Sequence, residues 1–558
     1  MPHGCGCNGK WVPTVTAAQT SPQTVTHDLP SDRPTSTRVE QARRAAAELP
    51  LPEHAHVVVI GTGFSGLGMA VKMTENGTRD FLLLERADNI GGTWRDNTYP
   101  GAACDVPSQL YSFSFSLKPD WSRSFSRQPE IQGYLENVTT QRDLWRHVRL
   151  NVEVTGATWD ADTARWCLDT NKGPITCDIL VSGVGALSDP VIPQLPGLER
   201  FQGSMFHSAR WDHSYDFTGK RVAVVGTGAS AIQFVPEIQP KVGSMTVFQR
   251  TPPWIIPRHD RALTKAEKKL YQRFPKLQKV ARGLIYGGRE TYALAFTRYM
   301  GLLKLPEMIA RKHIERQVPD PELRKKVTPD YTIGCKRILI SNDWYKALSQ
   351  PNVDVETSGI AEVREHSIVT KDGTEHEVDT ILFGTGFSPT EMPIAKWLRG
   401  TGGTLLSDTW SDQMSSYMGS TVTGYPNFFF VVGPNTGLGH TSQVYMIESQ
   451  IAYVADAIRT FDERGLATVE PKAEAEKAFD EEVQARMRDT VWVAGGCKSW
   501  YVDANGRNTT LWPDFTFQFR RRLRKFDPEN YHLRTREELA GGRAEPEEPS
   551  AVTSGASV

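Results

Sequence analysis

Two residues of opposite charge stand at matching places in this chain. Glu85 lies 24 residues after Gly61, the first glycine of the turn Gly61-Thr62-Gly63-Phe64-Ser65-Gly66. Arg250 lies 24 residues after Gly226, which opens the turn Gly226-Thr227-Gly228-Ala229-Ser230-Ala231. A turn of this kind between a strand and a helix brings backbone N–H groups and the helix N-terminus to a pyrophosphate. The residue closing the next strand then meets the ribose. A carboxylate there accepts hydrogen bonds from ribose hydroxyls and repels a 2′-phosphate. A guanidinium followed by a hydroxyl, as in Arg250-Thr251, binds that phosphate bidentately. The first unit is therefore expected to hold FAD and the second NADPH. Two such sites in one chain imply hydride transfer from nicotinamide to flavin.

The elements needed to position these residues are legible around both turns. His56–Ile60 (HVVVI) enters the first, a helix-like LGMAVKMTENG follows, and Phe81–Leu84 ends in Glu85. Arg221–Val225 (RVAVV) enters the second, and Met245–Gln249 (MTVFQ) ends in Arg250. Short apolar runs before glycines read as buried strands. In the first turn Gly61 permits the tight bend, Gly63 lets backbone approach the phosphates, and Gly66 allows close helix packing. Asp379–Phe383 leads into Gly384-Thr385-Gly386, and Asn427–Val432 into Gly433, with a long helix expected from about Ser442. The fold class is α/β, with two Rossmann-like dinucleotide-binding domains and a helical insertion in the NADP domain. The FAD domain is expected at 53–200 and 386–534, the NADP domain at 201–258 and 331–385, and the insertion at 259–330. Residues 1–52 and 535–558 are rich in Thr, Ser, Pro and charge, and read as disordered tails.

Composition narrows the classes further. A length of 558 residues asks for two or three domains. A net charge of −1 provides no global field towards nucleic acid or an anionic membrane, although local patches can still act. No apolar run of about 18 residues suggests a membrane span, and no secretory signal stands at the start. The seven cysteines are odd in number and scattered, with Cys5 and Cys7 the one close pair, so free thiols in a reducing cytoplasm are expected. No metal site is expected.

Longer strings carry a resemblance. Phe201-Gln202-Gly203-Ser204-Met205-Phe206-His207-Ser208-Ala209-Arg210-Trp211-Asp212 fits F-x-G-x-x-x-H-x-x-x-W-[P/D] and precedes the second glycine turn. Gly91-Gly92-Thr93-Trp94, then Tyr99-Pro100-Gly101 and Asp105, make a second signature. Over about residues 55–530 the chain resembles the Baeyer–Villiger monooxygenases, class B flavoprotein monooxygenases. The resemblance implies an enzyme that uses NADPH and O2 to convert a ketone or aldehyde to an ester or lactone through a flavin peroxide, with sulfide oxidation as a side activity. It implies that Arg337, in Gly334-Cys335-Lys336-Arg337, sits beside the flavin and that Asp105 holds it. A guanidinium, charged at every relevant pH, suits a reaction that develops negative charge on oxygen. Lys336 is a candidate for the NADP phosphate or ribose. The expected cofactor contacts also include Phe64, Ser65, Arg86, Gly92, Thr93, Trp94, Tyr111, Val154 and Gly386. His207 reads as a structural histidine at a domain junction. Ser499-Trp500 resembles the family's mobile loop, with Gly495 and Gly496 as hinges. The chain departs from the family's common G-A-N-x-P-G loop, showing Val502-Asp503-Ala504-Asn505-Gly506-Arg507-Asn508. Rival readings are an N-hydroxylating or S-oxygenating flavin monooxygenase and a non-catalytic NADPH-sensing flavoprotein. A disulfide reductase would need a C-x-x-C that the chain lacks. The expected partners are a small-molecule ketone and O2, with no nucleic acid and no membrane span, in a monomer or weak homo-oligomer.

Overall fold

Val57, Val58, Val59 and Ile60 are four β-branched residues in a row, a pattern that suits a strand covered on both faces. In the computed structural model, which describes residues 37–185, 187–387, 392–497, 499, 501–503 and 505–541, they end a strand, His54–Ile60, inside an eight-stranded sheet. Across that sheet run Leu398–Arg399, Val154–Asp160, Arg165–Thr170, Ile175–Ser182, His54–Ile60, Phe81–Leu84 and Val148–Arg149, with Phe428–Phe430 also paired to Ile175–Ser182. The pairings of His54–Ile60 are parallel on both sides, with Val57 opposite Phe81 and Ile179. Late segments of the chain thus return to complete the first sheet. The helix Gln443–Glu463, capped by the Ser442 hydroxyl accepting from Val444 N–H, packs on the helix Phe64–Asn76 that follows the first turn.

The second sheet has five parallel strands in the order Val353–Glu356, Ser244–Phe248, Arg221–Val225, Thr380–Phe383 and Ser204–His207. Both glycine turns leave the carboxyl ends of parallel strands, the place where open α/β sheets bind ligands. Between the two halves of this sheet the chain runs through helices Lys265–Arg273, Pro275–Glu290, Tyr292–Thr297, Lys304–Gln317 and Pro321–Val327. Thr264 and Glu267 start the first of these with a reciprocal capping box.

Two stretches expected to be loose are regular structure. Thr37–Glu48 is a helix whose Val39 and Ala46, seven residues apart on one face, join the main core, while Arg43 donates to the Asp88 carbonyl at 2.9 Å. At the other end, the expected tail starts on Thr535, the last residue of a strand, Tyr531–Thr535, that pairs antiparallel with Leu466–Pro471, and goes on as a helix, Arg536–Gly541. Thr535 and Glu538 exchange N–H bonds there, at 3.2 and 2.8 Å. In both places the charged, small-residue composition hid a short apolar face or a cap. Cys5 and Cys7 lie outside the described residues. No helix among those described is long and apolar enough to cross a membrane.

Candidate active site

The first turn is tightly closed. Gly61 has φ +97°, and a Cβ there would stand 2.7 Å from the Gly183 carbonyl. A Cβ on Gly66 would stand 1.9 Å from the Gly61 carbonyl, so this position admits only hydrogen. Above Gly63 the nearest atom to such a Cβ is 3.8 Å away, which leaves the turn open for a ligand. Glu85 is buried at the end of its strand and faces back into the turn. Its carboxylate accepts from the Thr62 hydroxyl at 2.5 Å and from Ala87 N–H at 3.0 Å, and pairs with Arg95 at 2.7 Å. Phe64, Trp94 and Tyr111 stack edge-on nearby, with Trp94 Nε1 donating to Tyr111 Oη at 3.0 Å.

The second turn repeats the geometry with one relaxation. Gly226 has φ +102° and its Cβ would meet the Gly384 carbonyl at 2.6 Å, but the place matching Gly66 is filled by Ala231, set against Gly384. Arg250, closing the strand Ser244–Phe248 by two residues, is exposed and makes no hydrogen bond or ion pair among the described residues. Lys336 lies close enough that burial and the Arg250 charge together lower its pKa. Two neighbouring cations that form no ion pair among the described residues fit an anionic group such as a 2′-phosphate.

The segment carrying Asp105 joins the two units. Gly101 has φ +81°, and a Cβ there would strike the Gln233 carbonyl at 2.6 Å. Tyr99 Oη donates to Gln233 Oε1 at 2.9 Å, and Gln233 Nε2 donates to the Ala103 carbonyl at 3.0 Å. The loop after Trp94 is thereby pinned to the helix Ala231–Ile238 that follows the second turn. Asp105 then accepts from Arg337 Nε at 2.8 Å and stands 2.6 Å from Arg337 Nη2. Burial acts to raise the Asp105 pKa, but the Arg337 charge and hydrogen bond outweigh it and hold it below the ordinary value. Asp105 in turn holds the Arg337 pKa well above the usual guanidinium range. An ion pair this well made at the junction stays charged on both sides.

One cavity of about 1520 Å³ connects these features. It exceeds the roughly 300–1,000 Å³ that takes one drug-sized ligand. Gly61, Gly63, Phe64, Ser65, Glu85, Arg86, Gly92, Thr93, Trp94, Asp105, Tyr111 and Val154 all line it. So do Gly226, Thr227, Gly228, Ala229, Ser230, Arg250, Thr251, Lys336, Arg337 and Gly386. Gly66 does not reach the cavity; it packs beneath Gly61. Trp500 lies outside the described residues. The glycine cradles, the inward Glu85 and the cations Arg250 and Lys336 fit two dinucleotides in one space.

His207 is buried at the end of the strand Ser204–His207, where its Nδ1 accepts from Ala209 N–H at 3.1 Å. Burial pushes its pKa down to about 4, so it is neutral and structural. Asp212 accepts from the Ser214 N–H and hydroxyl. Three features were not visible in the sequence. Arg289, from the helix Pro275–Glu290, faces Asp105 electrostatically and donates to the His440 carbonyl at 3.4 Å. Tyr501 is buried within the fields of Arg337 and Asp105, and burial pushes its pKa up to about 12. Cys335 and Cys497 form a disulfide across 162 residues, which ties the Lys336-Arg337 segment to the chain leading to Tyr501. The cysteines are therefore not all free, as scattered spacing had suggested, and one ground for a reducing compartment falls away.

Comparison with known proteins agrees with this geometry. The model of the flavin-binding monooxygenase-like family matches residues 54–283. A Baeyer–Villiger monooxygenase of Streptomyces coelicolor is 52% identical over 482 residues, covering 86% of this chain and 93% of the relative. One from Pseudomonas aeruginosa is 51% identical over 484 residues, covering 86% and 92%. Among solved structures, cyclohexanone monooxygenase from Rhodococcus sp. Phi1 bound to NADP+ superposes with a TM-score of 0.77 at 28% identity, covering 87% of this chain and 100% of that one. The OTEMO complex with FAD and NADP gives a TM-score of 0.77 at 26% identity, covering 86% and 99%. The two nucleotide-binding turns, the Asp105–Arg337 pair at their junction and relatives of this identity and coverage agree: the chain belongs to the Baeyer–Villiger monooxygenase family.

Proposed function

We propose that this enzyme converts ketones to esters or lactones with NADPH and O2, and that Arg337 and Asp105 carry the oxygen-transfer step. The observation that supports this most is the Asp105–Arg337 pair inside the cavity shared by both turns. Gly61, Gly63, Ser65 and Glu85 would hold the FAD pyrophosphate and ribose, and Trp94, Tyr111 and Val154 line the same cavity. Gly226, Gly228 and Ser230 would hold the NADPH pyrophosphate, while Arg250, Thr251 and Lys336 would take the 2′-phosphate. FAD reduced by NADPH supplies the electrons that activate O2, one atom of which enters the product. Arg337 lends a fixed positive charge to the oxygen that becomes negative as the substrate carbonyl is attacked. Asp105 fixes the plane of that guanidinium and stays ionised, so no proton is lost from the pair. Arg289 adds a second positive charge near Asp105, which helps to keep that carboxylate ionised. Tyr501 closes the space around the pair and excludes water, with its phenol protonated.

We place the enzyme in the cytoplasm as a monomer or weak homo-oligomer. Its need for NADPH supports the first, and a net charge of −1 leaves little repulsion between copies. Product masses test the reaction. With NADPH and air, a cyclic ketone is expected to gain one oxygen atom as a lactone faster than a comparable amine or sulfide is oxygenated. Oxygenation of the amine with the ketone returned intact would overturn the proposal.

A further inference from the structure

The helix Pro275–Glu290 packs Ile285 and Tyr286 against the main core, yet it buries polar side chains beside them and leaves an apolar face outward. Three of its polar residues, Gln278, Arg282 and Glu290, are only 2%, 9% and 5% exposed. They are satisfied by the protein body. Gln278 Nε2 donates to the Lys118 carbonyl at 2.7 Å, Arg282 Nη1 to the Gln109 carbonyl at 2.7 Å, and Glu290 accepts from the Thr516 hydroxyl at 2.9 Å. Leu277, Val280 and Leu284, one helical face by their spacing, are instead 46%, 57% and 73% exposed. The exposure continues along the following helices, each packed on the one before. There Tyr299, Leu302, Leu305 and Met308 each leave more than half their surface in solvent. A monomeric protein rarely shows so extended an apolar surface without a partner for it.

The charge around this surface says which partner. Between Lys265 and Gln317, ten Lys and Arg side chains are exposed against a single acid, Glu315. The whole chain has a net charge of −1, so positive charge is concentrated on this one unit. Lys276 and Lys279 flank the exposed Leu277 and Val280 directly, as lysines do when their stems lie along apolar surface and their ammonium groups reach phosphate. We infer that the outer face of the helices from Lys265 to Gln317 docks on an anionic lipid surface. A second copy fits less well, because a two-fold dimer would set the same basic face against itself. The contact lies on the bilayer and does not enter it as a span, for no described helix is long and apolar enough. The inference stands on this surface alone and does not depend on the reaction assigned above.

Flotation of the full-length holoenzyme with vesicles tests it. The enzyme is expected to float with phosphatidylcholine vesicles that contain phosphatidylglycerol, to be released by salt, and to stay behind with phosphatidylcholine alone. The double variant Val280→Ser/Leu284→Ser, and separately Lys276→Glu/Lys279→Glu, should each reduce partitioning at least about tenfold. Both change only exposed side chains, so flavin content, melting temperature and turnover of a water-soluble ketone should be unchanged. No flotation with the anionic vesicles, equal flotation with neutral ones, or parental flotation by both variants would overturn the inference. So would a stable dimer in lipid-free sedimentation that Val280→Ser/Leu284→Ser dissociates.

Discussion

The two glycine turns of this enzyme share a backbone plan and differ in how each is finished. Both open with a glycine near φ +100° pressed against the carbonyl of another glycine, Gly183 in one unit and Gly384 in the other. The first is sealed by Gly66 and by Glu85, a buried carboxylate already bonded to Thr62, Ala87 and Arg95. The second is closed by Ala231 and ends in Arg250, exposed and without an ion pair among the described residues. A prosthetic group that stays for the life of the protein suits a tight, internally satisfied cradle. A co-substrate that must arrive and leave suits an open cationic one. The fold supplies the cradle, and a few side chains decide what it holds.

Gly66 is where the contrast breaks most severely. Gly66→Ala puts a methyl group 1.9 Å from the Gly61 carbonyl, so the enzyme is expected to lose FAD and at least about 1–3 kcal/mol of stability. The mirror change, Ala231→Gly, should keep flavin content and cost about 1 kcal/mol. Flavin absorbance and thermal melts of the pair check this. Equal losses from both variants would remove the distinction between the turns.

Arg250→Ala tests the other side. A charge-assisted contact is worth about 1.5–3 kcal/mol, so KM for NADPH should rise roughly 10- to 100-fold while KM for NADH changes little. Flavin content should hold. A parallel rise for both nucleotides would mean that Arg250 does not read the phosphate.

The smallest expected effect separates the two sheets by pH. In the first, His56 lies between Asp178 at 2.9 Å and Asp462 at 2.8 Å. Burial works against its charge, but these carboxylates prevail and its pKa is pushed up to about 9. Its contribution is complete below the ordinary histidine value near 6.5 and is lost as pH rises through 9. In the second, burial pushes His207 down to about 4, so its contribution is present above 6.5 and is lost as pH falls through 4. Each limb is worth about 1–3 kcal/mol at full extent. Thermal melts across pH should show His56→Gln flattening the alkaline limb alone and His207→Asn the acid limb alone. Slopes like those of the parent would contradict the assignment.

The strand–turn–helix units were legible because their signal is local. Glycine, the apolar run before it and the charge 24 residues on all sit within one stretch of chain. Arg289 was not, because its approach to Asp105 depends on how a helical insertion folds back over another unit. The Cys335–Cys497 bond was hidden for the same reason, with 162 residues between its ends. Val39 and Ala46 were masked by a charged, alanine-rich composition in which two core contacts carry little weight. Leu277, Val280 and Leu284 teach a further limit. Periodicity tells which residues share a helix face, but only the partners of Gln278 and Arg282 tell that the face carrying them is the inward one.

The central claim is that Arg337, held by Asp105, acts on oxygen transfer and not on reduction of the flavin. Rapid mixing of Arg337→Ala with NADPH, followed by product analysis with a ketone in air, tests it most directly. Flavin reduction should stay within a few-fold of the parent, while ester formation should fall by roughly a hundred- to a thousandfold. Ester formed at the parental rate would contradict the account, as would a loss confined to the reduction step.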